Sequence, residues 1–462
     1  QYISINYEID EGTQYLFSKI IVSGNKSIND QNINKYFIEG IGRFYNPMYI
    51  NNQLIKLKKE YLRNGMLNVY IKEEMIIDES NITLRINIFE GRQYKINNIH
   101  ISGLESIKKK YLHREIKFKT NEIYNVDKID LTRKWIFDWG IFSSVEIFPE
   151  KLNEIKGLVD IHIKIRELKA SSIEADIGFS ELSSLQDPLM TPGFDLGSRW
   201  VIGNIMDTPS KLIIRNSIAT EIDLQSLINN DNLKQIHTKF IYKSPWTFKF
   251  RVPTEVTLFY RVDNDSYENL IAYGFSHLVY FKKNNYTRYD ISSKYKIINA
   301  KYEYSNEDTE PVRSIEFIYT TNKINDIISP KGGYYLRMSS AIYGTFLGGE
   351  RNFFQINNEF RKYFSIKDRN IIALRYKMGF IYNINSNYLP SYYKYELGGQ
   401  SSLRGWKNKE HFWEAEMGMD YIDAGSLIYE LVNLEYRFHI FKQWGGELFI
   451  DMGRLFNELS AY

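Results

Sequence analysis

The stretch LRINIFEGRQYKINNIHISGLESI, residues Leu84 to Ile107, joins two alternating segments through the dipeptide Glu90-Gly91. It aligns without a gap on INYEIDEGTQYLFSKIIVSGNKSI, residues Ile5 to Ile28, and both copies carry Glu-Gly-x-Gln-Tyr and then Ser-Gly and Ser-Ile. Alternation of apolar and polar residues predicts a strand on each side of the Glu-Gly pair. A repeat of this kind indicates a structural module that occurs more than once.

The residues between the two copies complete the module. They predict a strand, two helices and two strands, in this order, at residues 18–24, 29–40, 51–65, 67–75 and 81–91. Four apolar residues of the second helix share one face: Leu54, Leu57, Tyr61 and Leu62. Gly65 follows them as a C-cap. A module of roughly 75 residues is large enough to fold as a small domain.

The repeat also predicts domain boundaries. Residues 1–12 are expected to be the last strand of a preceding module, and residues 13–90 and 91–168 to be two complete modules. The strand pattern before the junction returns once more in LVDIHIKIREL, Leu158 to Leu168, but Leu168 replaces the glycine. We therefore expect the array to end there and a different domain to occupy residues 169–462.

From about Ala170 the helical patterns stop and nearly every segment alternates. Thirteen candidate strands follow, at residues 171–180, 195–204, 210–220, 236–244, 255–263, 270–281, 288–304, 314–324, 333–344, 353–364, 370–382, 428–438 and 445–453. Many are near the roughly nine to eleven residues of a tilted transmembrane strand, and aromatic residues cluster at their ends. A large soluble β-sandwich or solenoid also alternates, but the strand number and length favour an antiparallel transmembrane β-barrel.

Composition excludes several functions. The net charge is +3 and cysteine is absent, which argues against nucleic acid as a partner and removes thiol catalysis and cysteine metal sites. The seven histidines are scattered without paired metal-ligand spacing, and no Gly-x-Ser-x-Gly motif is present. We expect no enzymatic activity, no metal and no cofactor.

The most specific motif is GGQSSLRGW, Gly398 to Trp406, between the eleventh and twelfth predicted strands. NLEYRF and GGELFIDMG follow it in the twelfth and thirteenth strands. Together with the repeats, these motifs resemble the BamA/TamA superfamily of outer-membrane insertases and secretion transporters, and the repeats resemble POTRA domains. The resemblance covers essentially the whole chain.

The resemblance implies a fold of α+β POTRA repeats followed by the barrel. The barrel of this superfamily has about sixteen strands, whereas about thirteen are predicted here. The C-terminal strands are therefore expected to be missing. The leading strand at residues 1–12 likewise predicts a fragment that lacks both ends. The number of POTRA domains, and with it the choice between BamA, TamA and secretion transporters, stays open.

The motif also predicts a site in the long sixth loop. An ionised arginine inside a barrel is costly unless it is paired, and its planar fork suits a carboxylate. The resemblance places Asp451 and Glu435 on the inner wall facing Arg404. The glycines of the motif would let the loop backbone turn sharply and approach that wall. The loop residues of this predicted site are Gly398, Gly399, Ser402, Leu403, Arg404, Gly405 and Trp406.

The resemblance further implies an assembly or translocation factor of the bacterial outer membrane with periplasmic POTRA domains. Unfolded outer-membrane protein clients would add a strand to a POTRA sheet edge and then pair at the barrel seam. The seam strand is expected at the first barrel strand, with Ser172, Glu174, Asp176 and Gly178, where the glycine weakens pairing. The partners would be these clients, the lipid bilayer and periplasmic or inner-membrane accessory proteins. The alternatives are a two-partner secretion transporter pore and, in a different class, a passive porin-like channel or a soluble adhesin.

Overall fold

The computed structural model describes most of the chain. The described residues are 13–182, 191–221, 233–264, 268–302, 308–326, 328–366, 370–384, 389–399, 401–406, 425–441 and 444–457. The predicted leading strand at residues 1–12 lies outside them. Two compact units are present: Gln1–Leu168 with Met206–Thr208, and Lys169–Ile205 with Pro209–Tyr462.

The first unit begins with a module of five elements. They are β1 (Leu16–Ser23), α1 (Asp30–Phe37), α2 (Pro47–Arg63), β2 (Tyr70–Asp78) and β3 (Asn81–Phe89). The sheet order is β1-β3-β2, with β1 parallel and β2 antiparallel to β3. The edge strands of this sheet are therefore β1 and β2, and each of them pairs on one side only.

The second module repeats this order with β4 (Lys95–Ser102), α3 (Lys109–His113), α4 (Val126–Phe137), β5 (Phe142–Asn153) and β6 (Leu158–Glu167). Its sheet order is β4-β6-β5, with the same parallel and antiparallel pairing. Each module has its own hydrophobic core. The domain boundaries at residues 90 and 168 stay a prediction, although β3 and β6 end next to them.

Helix α2 illustrates how the sequence builds each core. Asn46 caps its first turn, where its side chain accepts a hydrogen bond from the Tyr49 N–H, and Pro47 occupies the first helical position. The face predicted from spacing is buried against the sheet: Leu57 and Tyr61 are fully buried. Gly65 has a positive φ of 80° and ends the helix.

The repeated Glu-Gly junction has a structural explanation that spacing alone did not predict. The Glu90 carboxylate accepts hydrogen bonds from the N–H groups of Lys26 and Ser27, at 2.6 and 2.9 Å. In the second module Glu167 accepts from the N–H groups of Glu105 and Ser106, at 2.9 and 3.2 Å. The glutamate at the end of each module, Glu90 just after β3 and Glu167 as the last residue of β6, thus holds the turn that follows the module's first strand.

The second unit contains a 13-stranded antiparallel sheet among its described residues, in which each strand pairs with its neighbours in chain order. Its strands are β7 (Ser171–Leu182), β8 (Thr191–Ile202), β9 (Lys211–Glu221), β10 (Leu233–Ser244), β11 (Thr254–Asn264), β12 (Glu268–Lys282), β13 (Thr287–Tyr302), β14 (Asp308–Asn322), β15 (Gly333–Tyr343), β16 (Phe353–Ile366), β17 (Asn370–Asn383), β18 (Ile428–Phe441) and β19 (Trp444–Phe456). All of the predicted barrel strands are present.

The two faces of this sheet differ in chemistry. Alternate residues of a strand point to opposite faces. On β18 and β19, one face exposes Leu434, Leu448 and Ile450, whose exposed fractions are 41%, 65% and 59%. The other face carries Asn433, which pairs in register with Asp451. We call the second face the inner face. Separately, no helix among the described residues is long and apolar enough to cross a membrane.

Candidate functional site

The GGQSSLRGW motif lies in the connection between β17 and β18, the eleventh and twelfth strands of the sheet. Gly398 and Gly399 have φ angles of 113° and 80°, a region that favours glycine. The Gly399 N–H donates to the Trp406 carbonyl at 2.9 Å and closes the motif into a compact turn. A Cβ added at Gly405 would meet no described atom within 4 Å, so sterics do not explain that glycine.

Arg404 makes a bidentate contact with Asp451 on β19. Its Nε donates to Oδ2 at 2.8 Å and its Nη2 donates to Oδ1 at 2.7 Å. The backbone N–H of Arg404 donates to Oδ2 as well, at 3.0 Å. The Asp451 side chain is only 6% exposed and that of Arg404 is 20% exposed. Charge-assisted bonds of this fork geometry fix orientation as well as distance.

Two further carboxylates contact the remaining nitrogen of the guanidinium. Nη1 of Arg404 lies 3.1 Å from Glu435 Oε1 and 2.8 Å from Glu447 Oε1. Arg437 pairs with the same two glutamates, with its Nε 3.0 Å from Glu435 and 3.3 Å from Glu447. Two arginines and three carboxylates therefore form one connected cluster. No group of side chains in the described part of the chain is arranged to hold a metal ion.

Strand register explains why these groups meet. Asn433 pairs with Asp451, Glu435 with Phe449, and Arg437 with Glu447. All six residues share the inner face, because they are spaced by two along each strand. The guanidinium carbon of Arg404 lies 3.7 Å from the Phe449 ring centroid, a cation–π contact. The arginine is thus held on an aromatic ring between charged neighbours.

The loop backbone is fixed by neighbouring strands. Asn433 donates to the Ser402 carbonyl, and Arg375 of β17 donates to the Ser401 carbonyl, both at 2.8 Å. The Ser402 hydroxyl accepts from the Gly398 N–H at 3.1 Å. The bonds from Asn433 and Arg375 satisfy two loop carbonyls at the inner face of the sheet that would otherwise lack a protein partner.

Leu403 packs against β19 at Gly453, which has no side chain. A Cβ added at Gly453 would lie 2.9 Å from Leu397 Cδ1 and 3.2 Å from Leu403 Cδ1. Both contacts are tighter than ordinary van der Waals distances, so the loop leucines occupy the space that the glycine leaves. Trp406 is 60% exposed.

The sequence did not predict several members of the cluster. Asn433, Glu447 and Phe449 lie on the same face as the predicted residues: Asn433 is two positions from Glu435, and Phe449 and Glu447 are two and four positions from Asp451. Alternation within NLEYRF and GGELFIDMG could have identified them. Arg375 has no such signal, because its contact with Ser401 joins a strand to a loop 26 residues later.

The predicted seam strand, β7, lies at one edge of the sheet and pairs there with β8 alone. Glu174 accepts two hydrogen bonds from Arg199 of β8, both at 2.8 Å. Asp176 faces Gly197, where an added Cβ would lie 2.0 Å from its Oδ2. The register continues through Gly178 without a bulge. Ser172 is exposed.

Comparison with known families decides the assignment. Residues 223–462 match the model of the Omp85 superfamily domain, and residues 94–168 match a POTRA model described as surface antigen variable number repeat. The chain belongs to the Omp85 superfamily. The resemblance predicted from the loop motif and the repeats is thereby confirmed.

Relatives of this Omp85 chain include two outer membrane protein assembly factors BamA. The one from Buchnera aphidicola is 23% identical over 72% of this chain and 57% of its own length. The one from Neorickettsia risticii is 20% identical over 87% of this chain and 52% of its own length. The chain thus spans little more than half the length of these relatives.

Solved structures agree on the Omp85 fold. BamA from Haemophilus ducreyi lacking POTRA domains 1–3 superposes with a TM-score of 0.70 at 16% identity, over 96% of this chain and 87% of that chain. CdiB from Escherichia coli superposes with a TM-score of 0.51 at 13% identity, over 98% and 83%. The predicted fold class of POTRA modules followed by an antiparallel barrel sheet is confirmed.

Membership in the Omp85 superfamily also confirms the predicted location. The barrel sheet belongs to a bacterial outer membrane and the POTRA modules to the periplasm. The relatives are named as assembly factors, which agrees with the expectation that the chain is not an enzyme.

Proposed function

We propose that the complete protein folds β-barrel clients and inserts them into the outer membrane. One observation carries this proposal: POTRA modules with an unpaired strand edge precede a barrel sheet, and Arg404 clamps the GGQSSLRGW loop to the inner face of that sheet. The two relatives named as BamA assembly factors support the same function. No cofactor enters the mechanism.

The POTRA step uses the edge strand β2. This strand pairs only with β3, so one row of its backbone N–H and C=O groups is available to an incoming strand. Tyr70, Met75 and Ile77 of β2 are 60%, 55% and 54% exposed. Backbone pairing accepts clients of any sequence, and the exposed apolar side chains add contact area for alternating client strands.

The insertion step uses β7. It offers an unpaired edge in the described sheet, as β2 does in the first module. A client strand that pairs there satisfies its backbone before it meets lipid, where unpaired groups are costly. Gly178 contributes no side-chain packing to the pairing of β7 with β8, which lowers the cost of separating these strands.

The clamped loop keeps the barrel wall in one shape during this exchange. Arg404 connects the loop to β18 through Glu435 and to β19 through Asp451. The partners of the complete protein would then be unfolded clients, the bilayer, and periplasmic or inner-membrane accessory proteins. A two-partner secretion transporter is the alternative within the superfamily. A passive channel would have no use for POTRA modules.

Reconstitution of the complete protein in liposomes tests the proposal. A urea-unfolded outer-membrane barrel is added as the client, and its folding is followed by heat-modifiable mobility on gels. We expect the complete protein to accelerate client folding over empty liposomes. A matched variant that begins at residue 169 keeps the barrel sheet and removes the POTRA modules, so it should lose most of the acceleration.

Three outcomes would contradict the proposal. Equal client folding in liposomes with and without the protein would exclude assembly activity. Ion conductance without any effect on the client would favour the passive channel. A client that crosses into the liposome interior, instead of folding in the bilayer, would favour the secretion transporter.

A further inference from the structure

Glu310 of β14 is a buried carboxylate outside the Arg404 cluster. Its side chain is only 1% exposed. Both of its oxygens are occupied: Oε2 accepts from Nε of Arg351 at 2.9 Å, and Oε1 accepts from the hydroxyl of Tyr393. Burial of a carboxylate is costly unless it is paired and hydrogen-bonded, so both donors contribute to holding Glu310 in place.

Tyr393 belongs to the part of the long loop that leads from β17 to the GGQSSLRGW motif, residues 389–397, which we call the loop arm. The arm is packed as tightly as a core: Leu389 is 4% exposed and Ser391 is 1% exposed. The Tyr393 ring lies against Phe353 with centroids 5.0 Å apart. It also lies edge-on to Tyr343 of β15, with centroids 6.1 Å apart, and this packing against the sheet directs its hydroxyl to Glu310.

A second tyrosine of the arm contacts the next strands of the sheet. Tyr395 donates its hydroxyl to Asn357 Oδ1 of β16 at 2.7 Å. On β17, a Cβ added at Gly379 would lie 2.4 Å from the Tyr395 ring, so the glycine makes room for it. The arm thus follows the inner side of the sheet from β14 towards β17.

We propose that Glu310 is a positioning residue that anchors the loop arm through Tyr393. The Arg404 clamp holds the other end of the same segment on β18 and β19, and β14 is five strands from β19 in the sheet order. With two anchors, the loop spans the inner face of β14 to β19 and cannot swing about the Arg404 clamp alone. The consequence for client assembly rests on the proposed function, whereas the position of the arm can be measured without a client.

The competing interpretation is that the Glu310 pair only stabilises the barrel wall. The two interpretations differ in where a substitution acts. Loss of an anchor exposes the arm and leaves the strands packed, because the backbone pairing of β14 with β13 and β15 does not involve the arm. Loss of wall stability exposes buried positions on the strands as well.

The absence of cysteine from the chain allows a direct test. In the complete protein, a single Ser391→Cys change places a thiol at an arm position that is 1% exposed. A charged maleimide added to the protein in detergent should label it slowly. Glu310→Gln and Tyr393→Phe should each raise the labelling rate about tenfold, because each removes a charge-assisted hydrogen bond that holds the arm. Since both break the same contact, the double variant should label no faster than the quicker single variant.

Matched controls come from the same strands. Glu316 lies on β14 on the same face as Glu310 and is 3.6 Å from Arg337 of β15, so Glu316→Gln should leave labelling at position 391 unchanged. Ser339→Cys places the thiol on β15 at a position that is 3% exposed. Its labelling should not respond to Glu310→Gln or Tyr393→Phe if the wall stays packed.

Unchanged labelling at position 391 in folded Tyr393→Phe protein would overturn the proposal. Faster labelling at both positions 391 and 339 would overturn it too, in favour of a wall-stabilising pair. If Glu310→Gln does not fold, Tyr393→Phe decides alone, because it keeps the carboxylate and its Arg351 partner. Faster labelling confined to position 391 supports the anchor even if the liposome assay shows no client folding, so failure of the proposed function is distinguishable.

Discussion

Arg404 carries one positive charge into a group of three carboxylates, and it is the residue on which the loop depends. Asp451 takes two nitrogens of its fork and its backbone N–H. Glu435 and Glu447 share the remaining nitrogen and are also paired with Arg437. Removal of Arg404 takes a cation away from three carboxylates, whereas removal of Asp451 leaves Arg404 with two carboxylate partners. The loss of stability should therefore be larger for Arg404.

A double-mutant cycle on Arg404 and Asp451 tests this pairing. Each alanine substitution should lower the free energy of unfolding of the complete protein by up to about 3 kcal/mol, less where water in the lumen screens the charges. Arg404→Ala should cost more than Asp451→Ala. The double variant should be little worse than Arg404→Ala, since both changes break one contact. The measurement is urea unfolding in lipid vesicles, with Arg337→Ala as the control arginine.

Additive losses would show that Arg404 and Asp451 act independently. In that case Arg404 would act only as a surface charge, and its pairing with Asp451 would not hold the loop. Equal effects of Arg337→Ala would likewise remove the special place of the loop arginine.

The sequence predicted the loop arginine and two of its carboxylate partners, but not the contacts of the loop with more distant strands. Arg404, Asp451 and Glu435 came from a motif that resembles a family, and the structure brings them within hydrogen-bond distance. Glu310 and Tyr393 carry no motif and are separated by 83 residues, so no periodicity relates them. Contacts between a loop and a distant strand depend on packing that only the folded chain specifies.

At the scale of elements, the glutamate that ends each POTRA module supports the turn after its first strand. Burial raises the pKa of the Glu167 carboxyl, but hydrogen bonds from the Ser106 hydroxyl and from backbone N–H groups outweigh it, and the net pKa is lowered. The pKa of Glu90 is lowered by the equivalent turn against the same opposing effect of burial. A lowered folded pKa stabilises the module above the unfolded pKa of about 4.3 and loses this effect as pH falls through the folded value.

Glu167→Gln should therefore destabilise residues 13–168 at neutral pH and have little effect in acid. We expect a loss of about 1 kcal/mol at pH 7, because the carboxylate is partly exposed to solvent. The loss should shrink once the pH is below the folded pKa of the carboxyl. Urea unfolding at several pH values measures it, and Glu146→Gln on the exposed face of β5 is the control. A loss that does not depend on pH would contradict the charge-based explanation.

Elements were predicted best where periodicity is long. The thirteen barrel strands occur at the predicted places, and β7 begins at Ser171 as expected. Helix α2 begins at Pro47, before the predicted residue 51, because the Asn46 cap and the proline start it earlier. Helix α3 has only 5 residues, too few for an amphipathic pattern to be recognised.

At the scale of the whole molecule, the two units differ in the solvent that they require. On β7, Ile173 and Ile177 are 74% and 75% exposed, and the same face of β19 exposes Leu448 and Ile450. Apolar side chains exposed on one face of the sheet are favourable against lipid and unfavourable against water. Each POTRA module instead has a hydrophobic core of its own.

The complete protein should therefore need detergent or lipid to stay folded and should show heat-modifiable mobility on gels. The segment 13–168 is the matched control. It should stay soluble without detergent and unfold cooperatively, with no heat-modifiable band. A detergent-free, folded and soluble segment from residue 169 onward would contradict the barrel assignment.

Whether clients pair with the seam strand is the central claim, and disulfide crosslinking tests it most directly. Single cysteines at Ser172, Glu174 or Asp176 of β7 in the otherwise cysteine-free chain are combined with single cysteines along a client strand during folding in liposomes. We predict crosslinks in one strand register on β7, and none from a single cysteine at Arg215 of β9, an exposed position on a strand that is paired on both sides. Ser172, Glu174 and Asp176 share the inner face with Arg215, so a client that threads the pore would crosslink to Arg215 as well as, or instead of, β7. Crosslinks to Arg215 would therefore contradict the account.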